Sequence, residues 1–147
     1  TVDQVGTSFE RSRAAAVSMI PTTTSAANLV TAVLPNLEGR ISVAAVRVPS
    51  ISVSAIDAVV QITEWPDEPI EEFLQHAFET SDTVGITHDA CVSSDLRGRP
   101  ESLIIALPEV QTVAEKQIRI LGWYDNEWGF SARMLDMAER MASRNKE

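Results

Sequence analysis

Apolar residues recur along this chain with two periods. Over residues 52–62 they alternate, with Ile56, Ala58, Val60 and Ile62 on one face and Val53, Ala55, Asp57 and Val59 on the other, which is the period of a strand. Residues 43–48, 102–107 and 117–123 are short apolar runs and read as further strands, and 84–92 holds a looser one. Elsewhere the period lengthens. Ala27, Val30 and Leu34, then Ile70, Phe73, Leu74 and Ala77, then Phe130, Met134, Ala138 and Met141 each mark one face of a helix. Pro21 is expected to stop the apolar run that precedes it, Pro35 and the Glu38-Gly39 pair to end the first helix, and Pro108 to stop the strand before it. The strands are not regularly separated by crossover helices. The expected fold is therefore α+β, a mixed, mostly antiparallel sheet with helices on one face. Residues 1–13 are polar and aperiodic and read as an irregular arm on a single body spanning 14–147, with no repeat and no dividing linker.

Composition narrows what such a body binds. The chain has 147 residues, 44% of them hydrophobic, enough for a core of its own. A net charge of −9 argues against nucleic acid or an anionic membrane as partner, since both require clustered Lys and Arg. A single cysteine, Cys91, excludes an internal disulfide and suits a reducing compartment. No apolar run is long enough to span a membrane and the first residues carry no leader pattern, so the expected location is the cytoplasm.

Chemistry concentrates at two places. The octet W-Y-D-N-E-W-G-F, residues 123–130, joins a strand to a helix and can present Tyr124, Asn126 and Glu127 on a rigid frame; alternatively, Asp125 or Asn126 is only the helix N-cap and the tryptophans are core. The T-T-T-S run before the first helix offers unpaired backbone N–H groups and the Thr24 hydroxyl to an anion. Arg47, in the apolar strand run that ends before Pro49, and Arg11 from the arm can add guanidinium contacts; the competing reading is a plain cap with surface arginines. Cys91 and His88 invite a thiolate–imidazole pair, but residues three apart on a strand point to opposite faces, so Cys91 reads as a small inert hydrophobe. His76 and His88 lack ligand spacing, and no metal site is expected.

Three ordered motifs carry a resemblance. They are the octet continued by S-A-R-M-L-D, R-A-A-A-V-S-M-I-P-T-T-T-S-A-A at 13–27, and V-R-V-P-S-I-S-V-S-A-I-D at 46–57. Together they resemble the C-terminal catalytic domain of the glyceraldehyde-3-phosphate dehydrogenase family, including its erythrose-4-phosphate dehydrogenase branch. The resemblance implies NAD or NADP as cofactor and glyceraldehyde 3-phosphate or erythrose 4-phosphate as substrate. It implies that Arg11, Thr24, Ser25 and Arg47 bind substrate phosphate or inorganic phosphate, with Ser25 standing where the family usually has glycine. It also implies that Asn126 holds the nicotinamide amide, with Tyr124 and Glu127 shaping the pocket. The arm and the exposed sheet face would then meet other subunits, as a homo-oligomer or on a full-length relative. The family's nucleophile context S-C-T-T-N, its base context H-A-Y-T and the G-x-G-x-x-G of a dinucleotide-binding half do not occur in this chain. No residue is thus assigned as catalytic, and the chain alone is expected to be inactive. Three accounts stay open: the C-terminal part of a phosphorylating aldehyde dehydrogenase, a non-catalytic anion-binding or assembly module, or a fold-only relic with no ligand.

Overall fold

The computed structural model describes Ser12 and residues 16–144, so the arm assigned to residues 1–13 lies, Ser12 apart, outside the described residues, and Arg11 with it. Contacts divide the chain into two compact units, 1–51 and 52–147.

In the first unit, β1 (Ile20–Thr22) and β2 (Ala45–Arg47) pair antiparallel, Ile20 opposite Arg47 and Thr22 opposite Ala45. The expected stop at Pro21 is corrected: β1 runs through it. A two-stranded ribbon is edge on both sides, where a missing N–H is tolerated. Between the strands lie α1 (Ala26–Val33) and a 3-10 turn at Pro35–Leu37. The apolar face expected of α1 exists but covers nothing closely, since no residue of the helix is buried.

The second unit holds β3 (Ser54–Gln61), α2 (Ile70–Phe78), β4 (Val84–Thr87), β5 (Leu103–Ala106), β6 (Gln111–Val113), β7 (Gln117–Tyr124) and α3 (Asn126–Arg144). The sheet order is β3-β7-β5-β4, with β6 also on β7. Every pairing is antiparallel except β4 with β5, which gives the mixed, mostly antiparallel sheet of an α+β fold. β7 is the hub. β3 pairs with it along its whole length, from Ser54 opposite Tyr124 to Gln61 opposite Gln117.

Two apolar clusters hold this unit. Leu74 of α2 packs with Ile105, Leu107, Phe78 and Ile120. Val53, Leu96, Ile104, Cys91 and Trp123 form the other, roofed by a 3-10 turn at Ser93–Leu96. Because neighbouring strand residues point to opposite faces, Ile104 and Ile105 place these clusters on the two sides of β5.

Several expected details differ. The buried stripe of α2 is Ile70, Leu74 and the half-buried Phe78, while Phe73 and Ala77 are exposed. The four-residue spacing fits the sheet better than the mixed stripe. The loose strand at 84–92 ends at Thr87, whose hydroxyl accepts the Asp89 N–H at 3.2 Å and starts a turn. β6 was not legible at all. Its hairpin to β7 turns through Ala114 and Glu115, both left-handed, with φ of 51° and 49° and no glycine to signal them. On α3, Phe130, Met134, Ala138 and Met141 do share a face, but it lies in solvent, with Phe130 67% exposed. Among the described residues no helix is long and apolar enough to cross a membrane.

Candidate functional site

The junction between β7 and α3 forms as its sequence demands. β7 ends at Tyr124, and the next residue, Asp125, is buried at 4% exposure. Its Oδ1 accepts the N–H groups of Glu127 and Trp128, both at 3.1 Å, and its Oδ2 accepts the Gly98 N–H at 2.8 Å. A helix leaves its first N–H groups without partners, and a carboxylate at this position satisfies them. The bonds from Gly98 and Trp128, in that order, hold the Asp125 carboxyl below its usual range against the cost of desolvation. The alternative left open for the octet is thereby resolved. Asp125 is the cap, and Asn126, the first residue of α3, is exposed and not engaged as one.

Asn126 and Tyr124 line one cleft of about 330 Å³, together with Ser102, Gly129, Phe130 and Arg133. Glu127 is exposed and does not line it. Sequence reasoning missed Ser102 and Arg133. The spacing of Arg133, two helical turns after Asn126, was the available signal. Arg133 donates from Nε to Asp136 Oδ2 at 2.7 Å and from Nη1 to Ser102 Oγ at 3.0 Å, bracing α3 against the start of β5. At Gly129 the two approach closely, since a β-carbon there would stand 3.0 Å from the Glu101 carbonyl oxygen. The planar Asn126 amide offers two donors and an acceptor to a ligand carboxamide, and the aromatic residues give the cleft apolar walls. A larger cavity of about 610 Å³ opens beside Trp65 and Lys116 and contains none of the candidate residues.

In the first unit, Thr24 Oγ1 accepts the Ala26 N–H at 3.1 Å, which leaves its own proton to donate. Ser25 is the N-cap residue of α1 without a side-chain cap bond. Arg47 is exposed at the end of β2. The register sets it beside Ile20, two strand residues or about 7 Å from Thr22, where the chain turns towards Thr24. The Thr22 hydroxyl oxygen is buried there without a partner.

Cys91 and His88 do not form a pair. The Cys91 sulfur lies 3.7 Å from Thr87 Oγ1, and His88 Nε2 is bonded to Gln75 Nε2 at 3.0 Å. Cys91 instead packs on the cluster of Val53, Leu96 and Ile104. His76 meets Glu68 at 2.8 Å on the exposed side of α2.

Comparison with known proteins agrees with this architecture. Residues 1–126 match the family described as glyceraldehyde 3-phosphate dehydrogenase, C-terminal domain. The chain is 40% identical over 147 residues to glyceraldehyde-3-phosphate dehydrogenase of Cereibacter sphaeroides, covering 96% of this chain and 43% of that protein. It is 39% identical over 145 residues to the enzyme of Zymomonas mobilis, with the same coverage, and 35% identical over 148 residues to glyceraldehyde-3-phosphate dehydrogenase 2 of Bacillus subtilis, covering 99% of this chain and 44% of that protein. The chain thus spans less than half the length of these relatives. With the octet, the mixed sheet and the family match in agreement, the chain belongs to the glyceraldehyde-3-phosphate dehydrogenase family and corresponds to its C-terminal domain.

Proposed function

We propose that this chain is the substrate-holding part of an NAD(P)-dependent phosphorylating aldehyde dehydrogenase that acts on a phosphorylated sugar aldehyde, glyceraldehyde 3-phosphate or erythrose 4-phosphate. The observation that carries this reading is the division of labour at the start of α3. Asp125 takes the cap, so the Asn126 amide stays free at a cleft. Asn126 pairs with the nicotinamide carboxamide, and Tyr124, with Glu127 outside the cleft, shapes its approach. The dinucleotide, when bound, accepts hydride from the substrate. Arg47, Thr24 and Ser25, with Arg11, take the substrate phosphate or inorganic phosphate through guanidinium, hydroxyl and helix N-terminal donors. In this reading no residue here replaces the family's thiolate, which belongs to the part of its relatives that the chain does not span. The isolated chain is then inactive. It works in the cytoplasm as a homo-oligomer or on a full-length relative.

A second reading, a non-catalytic anion-binding module that docks on such a relative, is favoured by the uncovered apolar side chains of α3. Both readings need the anion site. The test is the melting temperature of the full chain in graded phosphate. A rise that disappears in Arg47→Ala is expected. No rise, or an equal rise in the variant, overturns the phosphate assignment. Aldehyde-dependent NAD reduction by the isolated chain would overturn the claim that it lacks the nucleophile.

A further inference from the structure

We infer that Asp125 is a positioning residue for Asn126, clamping the first turn of α3 to the loop that carries Gly98 and so fixing the direction in which the Asn126 amide is offered. The inference rests on the reading of Asn126 as the carboxamide contact.

An ordinary N-cap accepts one or two N–H groups from its own helix, and a serine does this as well as an aspartate. Asp125 does more. The third N–H it accepts comes from Gly98, 27 residues away, and is the shortest of the three at 2.8 Å. That bond adds nothing to the helix ladder. It ties the helix to a different segment, and the contacts around it serve the same end. Gly98 has φ of +78°, and a β-carbon on it would lie 3.5 Å from Trp128 Nε1, so the loop runs against the first turn of α3. Arg97 donates from Nε to Ser52 Oγ at 2.9 Å, tying the same loop to the residue before Val53. Arg133 Nη1 donates to the Pro100 carbonyl at 3.3 Å one residue beyond the arginine that follows Gly98.

Asn126 therefore follows a residue gripped from two directions. A cap alone fixes the backbone along the helix axis but leaves the first turn free to swing about the Tyr124–Asp125 link. The Gly98 bond removes that freedom. Recognition of a planar carboxamide by a planar amide depends on the direction of both hydrogen bonds, so a small swing loses contact without unfolding anything.

The experiment uses the full chain, 15N-labelled, with nicotinamide mononucleotide as the probe. Asp125→Ser keeps a capping oxygen but is too short to reach Gly98 as well, and Asp125→Asn turns either an amide N–H2 or a weaker acceptor towards the Gly98 N–H. The melting temperature, backbone relaxation at Asn126 and Glu127, and the probe-induced shift of the Asn126 side-chain amide are measured for each. Asp125→Ser is expected to melt below the parent protein while staying folded, to lose order locally at Asn126, and to show less than half the parent's shift. Asn126→Ala, which removes that amide itself, is the control: its backbone at residues 126 and 127 is expected to stay as rigid as the parent's while the probe-induced backbone shifts around the cleft vanish. Unchanged order and unchanged shift in Asp125→Ser overturn the inference. So does a loss of order spread evenly along α3, which would make Asp125 a helix cap and nothing more. If the parent protein shows no shift with the probe while Asp125→Ser still loosens Asn126, the carboxamide reading fails and the positioning stands.

Discussion

Leu103 of β5 lies so close over Gly122 of β7 that a β-carbon on the glycine would stand 2.6 Å from Leu103 Cδ1 and 3.2 Å from its Cγ. The contact lies two residues before Tyr124, where β5 and β7 are paired with Ile105 opposite Gly122, so the leucine side chain takes the space a β-carbon would need. Gly122→Ala is expected to lower stability by about 1 kcal/mol or less, because the half-buried Leu103 tip can rotate aside and alanine restores strand propensity. Denaturant unfolding checks this, and Gly122→Ala with Leu103→Val should recover part of the loss.

Val53 is a β-branched residue with φ of 69°, buried in the cluster with Leu96 and Ile104. Packing overrides a backbone conformation that valine resists. Shortening a buried valine normally costs more as the side chain shrinks. Here Val53→Gly should cost less than Val53→Ala, by about 1 kcal/mol, because glycine alone is relieved of the strain. Paired thermal melts of the two variants settle the order.

Acid should weaken the protein through the carboxylates that are held charged. Asp125 is held below its ordinary value of 3.8 by backbone bonds, and Glu101 is held low first by its bond from Arg99. For a depressed carboxylate, the unfolded chain binds the proton first, so stability is fully present above the ordinary value and falls as the pH drops through the folded one. Stability should therefore be flat near neutrality and decline below about pH 4. In Asp125→Asn that decline should be shallower and the neutral-pH stability lower, as melts at stepped pH would record.

On α3, Phe130, Met134, Met137 and Met141 recur at spacings of four, three and four, and all are exposed. Such a stripe binds apolar dyes or another protein surface. Met134→Lys is expected to reduce dye fluorescence and any self-association in sedimentation, with the melting temperature close to the parent's because the side chain supports no core. Undiminished dye binding would shift attention to Ile56 and Val60 on β3.

What the chain disclosed beforehand followed from where physics is local. β3 and both long helices announced themselves because each is eight residues or longer and keeps one period, and β7 because it is an apolar run that leads into the octet. The octet was legible as a junction, and the cap was narrowed to Asp125 or Asn126. Choosing between them required the Glu127 and Trp128 N–H bonds to Asp125, and the further bond from Gly98 is one that no local pattern encodes. β6 escaped because three residues cannot show a period, and its Ala114–Glu115 turn lacks the usual glycine. β1 escaped because a proline at its centre argues against a strand unless the strand is known to be an edge. Of the cleft residues, Arg133 shares α3 with Asn126 and its spacing was there to be read, whereas Ser102 precedes β5 and only the folded sheet brings it to Asn126.

The position of β7 at the hub carries a consequence in time. Among the described residues β3 and β6 pair with no other strand, and the Arg119–Asp57 grip that staples β7 to β3 spans 62 residues of sequence. During synthesis β3 emerges first and must wait for nearly the whole of this unit to follow before it meets its partner. Until then its alternating apolar side chains and its unpaired backbone are open to any other nascent strand. The demand this fold makes on the cell is set less by its final stability than by how long one strand stays unaccompanied.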